Sequence, residues 1–157
     1  MPKISRKASI NLSIAFTVLF MLIIIAGAVI MPRLANILID TPDNIGNRNR
    51  IGDGARSFII LLSYLILLDC AVIDVLLFLL LRRVKRGAVF TELSVALIRY
   101  ISWGALCFGL LFAVLGIWFQ LALILAFAGF LLGITLRVTK NVIEEATQIK
   151  SENDLTV

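Results

Sequence analysis

Apolar residues fall into four long blocks along this chain, each interrupted by isolated polar positions and bounded by charge, proline or glycine. The second block, Ser57 to Leu81, reads SFIILLSYLILLDCAVIDVLLFLLL and runs straight into RRVKRG. About 25 residues at about 1.5 Å each reach roughly 37 Å, enough to cross a hydrocarbon core of about 30 Å with some tilt. The first block, Leu12 to Met31, stops at Pro32; the third spans 99–118 and the fourth 121–136. With almost no residues between the last two, those helices are expected to be antiparallel neighbours. Beyond the fourth, Arg137 to Lys150 keeps a helical rhythm, with Val138, Val142, Ala146 and Ile149 near one stripe and Lys140, Glu144 and Lys150 elsewhere. The pattern predicts one all-α domain, an integral membrane four-helix bundle with a helical extension in the tail 137–157.

Composition supports that class and charge orients it. With 61% hydrophobic and 16% charged residues and a mean hydropathy of +1.03, the chain lies outside the soluble globular range, and the lipid bilayer is its first partner. Lys3, Arg6 and Lys7 precede the first block, and Arg82, Arg83, Lys85 and Arg86 follow the second. Between them, Asp40, Asp43 and Asp53 nearly balance Arg33, Arg48, Arg50 and Arg56. Basic residues concentrate in cytoplasmic connections, so both termini are expected inside, N-in and C-in. The net charge of +5 is accounted for by this placement, and no direct nucleic-acid contact is expected. Ala26, Gly27 and Ala28 mimic a signal-peptidase site, but the run is longer than a typical h-region and continues past them, so it reads as a retained helix.

The connections carry turn and capping signals. Residues 32–56 are expected to form an extracytoplasmic linker, broken at Thr41-Pro42-Asp43 and Asp53-Gly54, with a short amphipathic turn around Leu34 to Ile39; a ligand-facing sensor loop is the alternative. Thr91 reads as a helix N-cap, with Glu92 in the first turn and Phe90 placed to staple against Val95. Arg99 and Tyr100 mark the inner interface, and Trp118, Phe119 and Gln120 the outer one.

Chemistry-bearing residues are few. There is no histidine, Cys70 and Cys107 lie in separate helices, and no zinc spacing, Walker loop or nucleotide fingerprint occurs. No metal, cofactor or catalytic residue is therefore expected, and the chain does not read as an enzyme. The informative groups are Asp69 and Asp74, each costing about 2.5 to 3.5 kcal/mol if ionised in lipid. Helical spacing sets them about 7.5 Å apart along the axis and about 140° apart around it, so they do not form one acid pair. Ser63, Cys70 and Asp74 fall within about 40° of one another, a narrow polar stripe expected to face inward. No cation lies in the apolar part of any helix, so a salt bridge would need a long inward reach from Arg82, Arg99 or Arg137. Two readings stand: the acids bind a proton, cation or cationic ligand, or they are neutral packing groups. Ser102, Ala105, Gly109 and Gly116 form a small-residue seam on the third helix, and Gly129 and Gly133 a GxxxG on the fourth. The seam suits packing between those two helices, with a homodimer interface as the alternative.

Two segments, KRGAVFTELSVALIRYISW (Lys85 to Trp103) and TKNVIEEATQIKSENDLTV (Thr139 to Val157), resemble the signature regions of a family of small four-helix bacterial membrane proteins, domain of unknown function 2975. The match lies at Gly87, Phe90, Thr91 and Arg99, and at Asn153, Asp154, Leu155 and Thr156; Ser94 and Ala96 depart from it where relatives often carry asparagine and a further basic residue. The resemblance implies a multi-pass protein of the bacterial inner membrane. It also implies a helix-turn-helix regulator as partner, since family members are often encoded beside one. Phe90, Thr91, Arg99, Glu144, Glu145, Asn153, Asp154 and Leu155 are then the candidate docking residues, and a basic linker beside an acidic tail predicts an intramolecular clasp. A small transporter, channel component or immunity protein using Asp69 and Asp74 is the alternative.

Overall fold

The computed structural model describes residues 6–40 and 53–155, of which the side chains of residues 6, 7, 40, 53 and 153–155 are left aside. Four α-helices make up these residues: α1 (Arg6–Asp40), α2 (Asp53–Lys85), α3 (Glu92–Leu115) and α4 (Gln120–Leu155). Each is long and apolar enough to cross a membrane. The surface confirms the solvent they are built for. Val29, Leu22 and Phe127 point outward, whereas Thr17, Ser63, Asp74, Ser94 and Ser102 are buried, the reverse of a water-soluble bundle.

The helices outrun the apolar blocks. α1 does not stop at Pro32 but continues through it to Asp40, so the turn expected at Leu34 to Ile39 is its last stretch. Proline removes one i→i−4 hydrogen bond, here to the carbonyl of Ala28, and Tyr64 of α2 donates its hydroxyl to that oxygen at 3.2 Å. The freed acceptor is satisfied by a neighbour, and the helix persists. Asp53 and Gly54, expected as turn residues, instead open α2. The remainder of that connection, including Thr41-Pro42-Asp43, and with it the sensor-loop reading, lies outside the described residues.

α2 carries its basic end as helix through Lys85 and closes in a Schellman motif. Gly87, at φ 82°, lets its own N–H reach Val84 O at 3.1 Å and the N–H of Ala88 reach Arg83 O at 3.1 Å. Four residues later Thr91 caps α3, accepting from Ser94 N at 3.3 Å. Ser94 completes the knot by donating its hydroxyl to Ala88 O at 2.8 Å. The linker is thus a fixed turn. α3 ends at Leu115 with Gly116 as its cap, and α4 starts at Gln120, giving the tight outer hairpin. α4 then runs unbroken for 36 residues, so the tail is helix as far as Leu155.

Packing follows chain order: α1 on α2, α2 on α3, α3 on α4. Among the described residues, the backbones of α1 and α4 nowhere approach within 8 Å. The bundle is a curved row of four antiparallel helices whose first and last members meet at a seam without close backbone approach. Its tightest contact is α3 on α4, where a Cβ at Gly129 would stand 2.9 Å from the Cα and N of Gly109. Ser102 donates to Gly133 O at 2.8 Å across the same contact. The glycine seam is used within the chain, as close backbone approach requires.

Candidate functional site

The curved row encloses a groove lined by side chains from all four helices. Its inner half has a volume of about 490 Å³, with Phe20, Cys70, Asp74, Ile101, Phe108 and Leu132 on its walls. Its outer half holds about 340 Å³, lined by Met31, Ser63, Phe112 and Leu125 among others. One face of α2 therefore presents Ser63 to the outer half and Cys70 and Asp74 to the inner half. Ser63 satisfies its own helix, donating to Ile59 O at 2.8 Å.

Asp74 is 7% exposed and lies where the inner groove meets a smaller space of about 220 Å³ against Thr17, Met21 and Phe78. The hydroxyls nearby are already committed: Thr17 donates to Ile14 O, Thr135 to Leu131 O and Ser102 to Gly133 O, each at 2.8 Å. Asp74 has neither a hydrogen bond nor an ion pair among the described residues. Asp69 sits on another side of α2, toward α3: its Oδ1 lies 3.8 Å from the point a Cβ on Gly104 would occupy, and its Oδ2 is buried without a hydrogen-bond partner. A Cβ at Gly104 would meet the Ile73 side chain at 2.6 Å, so a larger residue there requires Ile73 to shift.

The three arginines with reach turn away from both acids. Arg82 lies over the Phe78 ring at 5.4 Å, Arg137 over Trp103 at 4.6 Å, and Arg99 pairs with Glu144 at 3.2 Å. Cation–π contacts at the interface hold guanidinium groups beside the headgroups and out of the groove. Among the described residues no cluster of histidine, cysteine and carboxylate side chains could hold a metal ion.

At the end opposite the α3–α4 turn, a cleft of about 470 Å³ between α3 and the extension of α4 is lined by Glu92, Arg99, Glu144, Gln148 and Ser151. Glu144 closes its membrane side, accepting from Arg99 and, at 2.6 Å, from Lys140 one turn earlier on α4. Lys140 foremost, with Arg99, holds the Glu144 carboxyl below its ordinary range. The clasp is thus made by Arg99 and Glu144; Glu145 and Phe90 are exposed, and Thr91 is occupied as a cap. The side chains of Asn153, Asp154 and Leu155 lie outside the described residues. Sequence reasoning did not single out Tyr64, Thr17 or Gly104. Only a paired view of α1, α2 and α3 gives them roles, although Pro32 inside an apolar run was a signal that some donor must approach Ala28.

Four long helices with apolar outer faces, a few buried polar side chains and a basic end define a multi-pass integral membrane protein. The chain matches the family described as Protein of unknown function (DUF2975) over residues 14–157, nearly its whole length, and belongs to that family. No curated protein and no solved structure matches it.

Proposed function

We propose that this is a non-enzymatic protein of the bacterial inner membrane whose cytoplasmic end docks a protein regulator, of the helix-turn-helix kind implied by the family resemblance. The observation that carries the reading is the projecting end of α4. At about 1.5 Å per residue, 36 residues make a helix of about 54 Å, well beyond a hydrocarbon core of about 30 Å. The apolar positions on that extension are not covered by α3: Val138 is 59% exposed, Val142 61% and Ile149 54%. An apolar stripe at helical spacing suits an amphipathic helix of a partner, with Glu145 exposed beside it for a basic flank. Holding such a regulator at the membrane lowers its availability to DNA.

The alternative, transport through the two acids, asks Asp69 and Asp74 to serve one path. They face different neighbours, Asp69 toward α3 and Asp74 toward α1 and the groove, which favours the docking reading. The test is co-purification of the full-length protein with a helix-turn-helix regulator co-expressed from the same genome. Removing residues 144–157, or introducing Val142→Glu with Ile149→Glu, is expected to abolish capture while membrane abundance holds. Undiminished capture by both variants would overturn the proposal.

A further inference from the structure

The inner groove has a composition that the docking reading does not use. It is a volume of about 490 Å³, within the range of small-molecule sites, with apolar walls and one buried acid at its floor. We propose that this groove binds a hydrophobic ammonium compound, an apolar body bearing a protonated amine, with Asp74 as counter-ion.

Three observations select that chemistry. Asp74 offers acceptor oxygens while every nearby hydroxyl donates to a main-chain carbonyl, leaving only the weakly donating thiol of Cys70 on the walls, so the groove lacks a strong donor that an N–H group would supply. It lacks a positive charge as well, because Arg82, Arg99 and Arg137 are engaged at the interface. The aromatic faces of Phe20 and Phe108 on the same walls tolerate a cation beside them, and the aliphatic remainder suits the hydrocarbon body. A neutral lipid chain would fill the space without answering the acid, and a bare metal ion would find a single carboxylate. The seam between α1 and α4 gives such a compound a lateral way in from the bilayer, where it concentrates by partition.

The test uses the full-length protein in lipid nanodiscs, empty discs subtracted, with radiolabelled 1-adamantylamine and its isosteres 1-adamantanol and 1-adamantanecarboxylate. Saturable binding of the amine at one site per chain is expected, with both isosteres weaker by about tenfold or more. Asp74→Asn is expected to weaken amine binding by about tenfold, and Asp69→Asn by less than about twofold. Leu132→Trp, which adds bulk at a groove-lining position and leaves Asp74 in place, guards against a variant that merely unfolds and is expected to abolish the site. The proposal is overturned if wild-type protein binds the alcohol as well as the amine, if binding does not saturate, or if folded Asp74→Asn or Leu132→Trp protein retains full affinity.

Discussion

Pro32 shows how one residue's missing hydrogen is answered by another far along the chain. Without its N–H the carbonyl of Ala28 has no helical donor, and in lipid no water replaces it. Tyr64 supplies the bond at 3.2 Å and thereby fixes the register of α2 against α1. Tyr64→Phe is expected to cost about 0.6 kcal/mol, the usual worth of an interhelical hydrogen bond in a membrane, and at most about 1.7. In a Pro32→Ala background the restored N–H serves Ala28, so the same change should cost close to nothing. Unfolding of the four proteins in bicelles completes the cycle, and an equal cost in both backgrounds would show that the hydroxyl is not compensating for proline.

Among the elements, α4 does two jobs with one continuous helix. Its first half is pinned to α3 by the Gly109–Gly129 approach, which leaves no room for a Cβ. Its second half is tied to α3 by the Arg99–Glu144 pair, with side chains 52% and 36% exposed and so screened by salt, and Lys140 supports Glu144 from within α4. The Glu144 carboxyl is held below its ordinary value of 4.5, chiefly by the Lys140 hydrogen bond. A depressed acid contributes order that is complete above that ordinary value and is lost as pH falls through the lowered one. The protection factors of the amides between residues 140 and 150, which are the intrinsic exchange rate at each pH divided by the observed one, are therefore expected to stay constant from neutral pH down to about 4.5 and to fall below it. Glu144→Gln should remove that pH dependence; a wild-type profile as flat as the variant's would rule the clasp out.

For the whole molecule, the consequence of a sequential antiparallel row is that Arg6, Lys85, Glu92 and Leu155 share one end, while Asp40, Asp53 and the α3–α4 turn share the other. The positive-inside bias predicts that the basic end lies in the cytoplasm. In a background with Cys70 and Cys107 replaced by alanine, single cysteines at Lys85 and Ser151 are expected to react with an impermeant maleimide only after the cytoplasmic face is opened. A cysteine at Gly54 should react in intact cells. Labelling of Ser151→Cys from outside would place the exposed stripe of α4 away from any regulator of transcription.

Hydrophobic blocks and flanking charge were enough to define four spans, the Thr91 cap and the outer hairpin, because lipid partition and local capping act on residues close in sequence. The same spacing legibly placed Ser63, Cys70 and Asp74 on one side of α2. The helical tail was legible from its rhythm, but other helix ends were not: α1 persists through Pro32 by a contact that an apolar count does not register, and Asp53 and Gly54 open α2 where a turn was expected. Only tertiary structure decided that α1 and α4 stay apart, that three arginines turn outward, and that a lone carboxylate faces an apolar groove. Those outcomes depend on which helices touch, and side chains distant along the chain meet there for the first time.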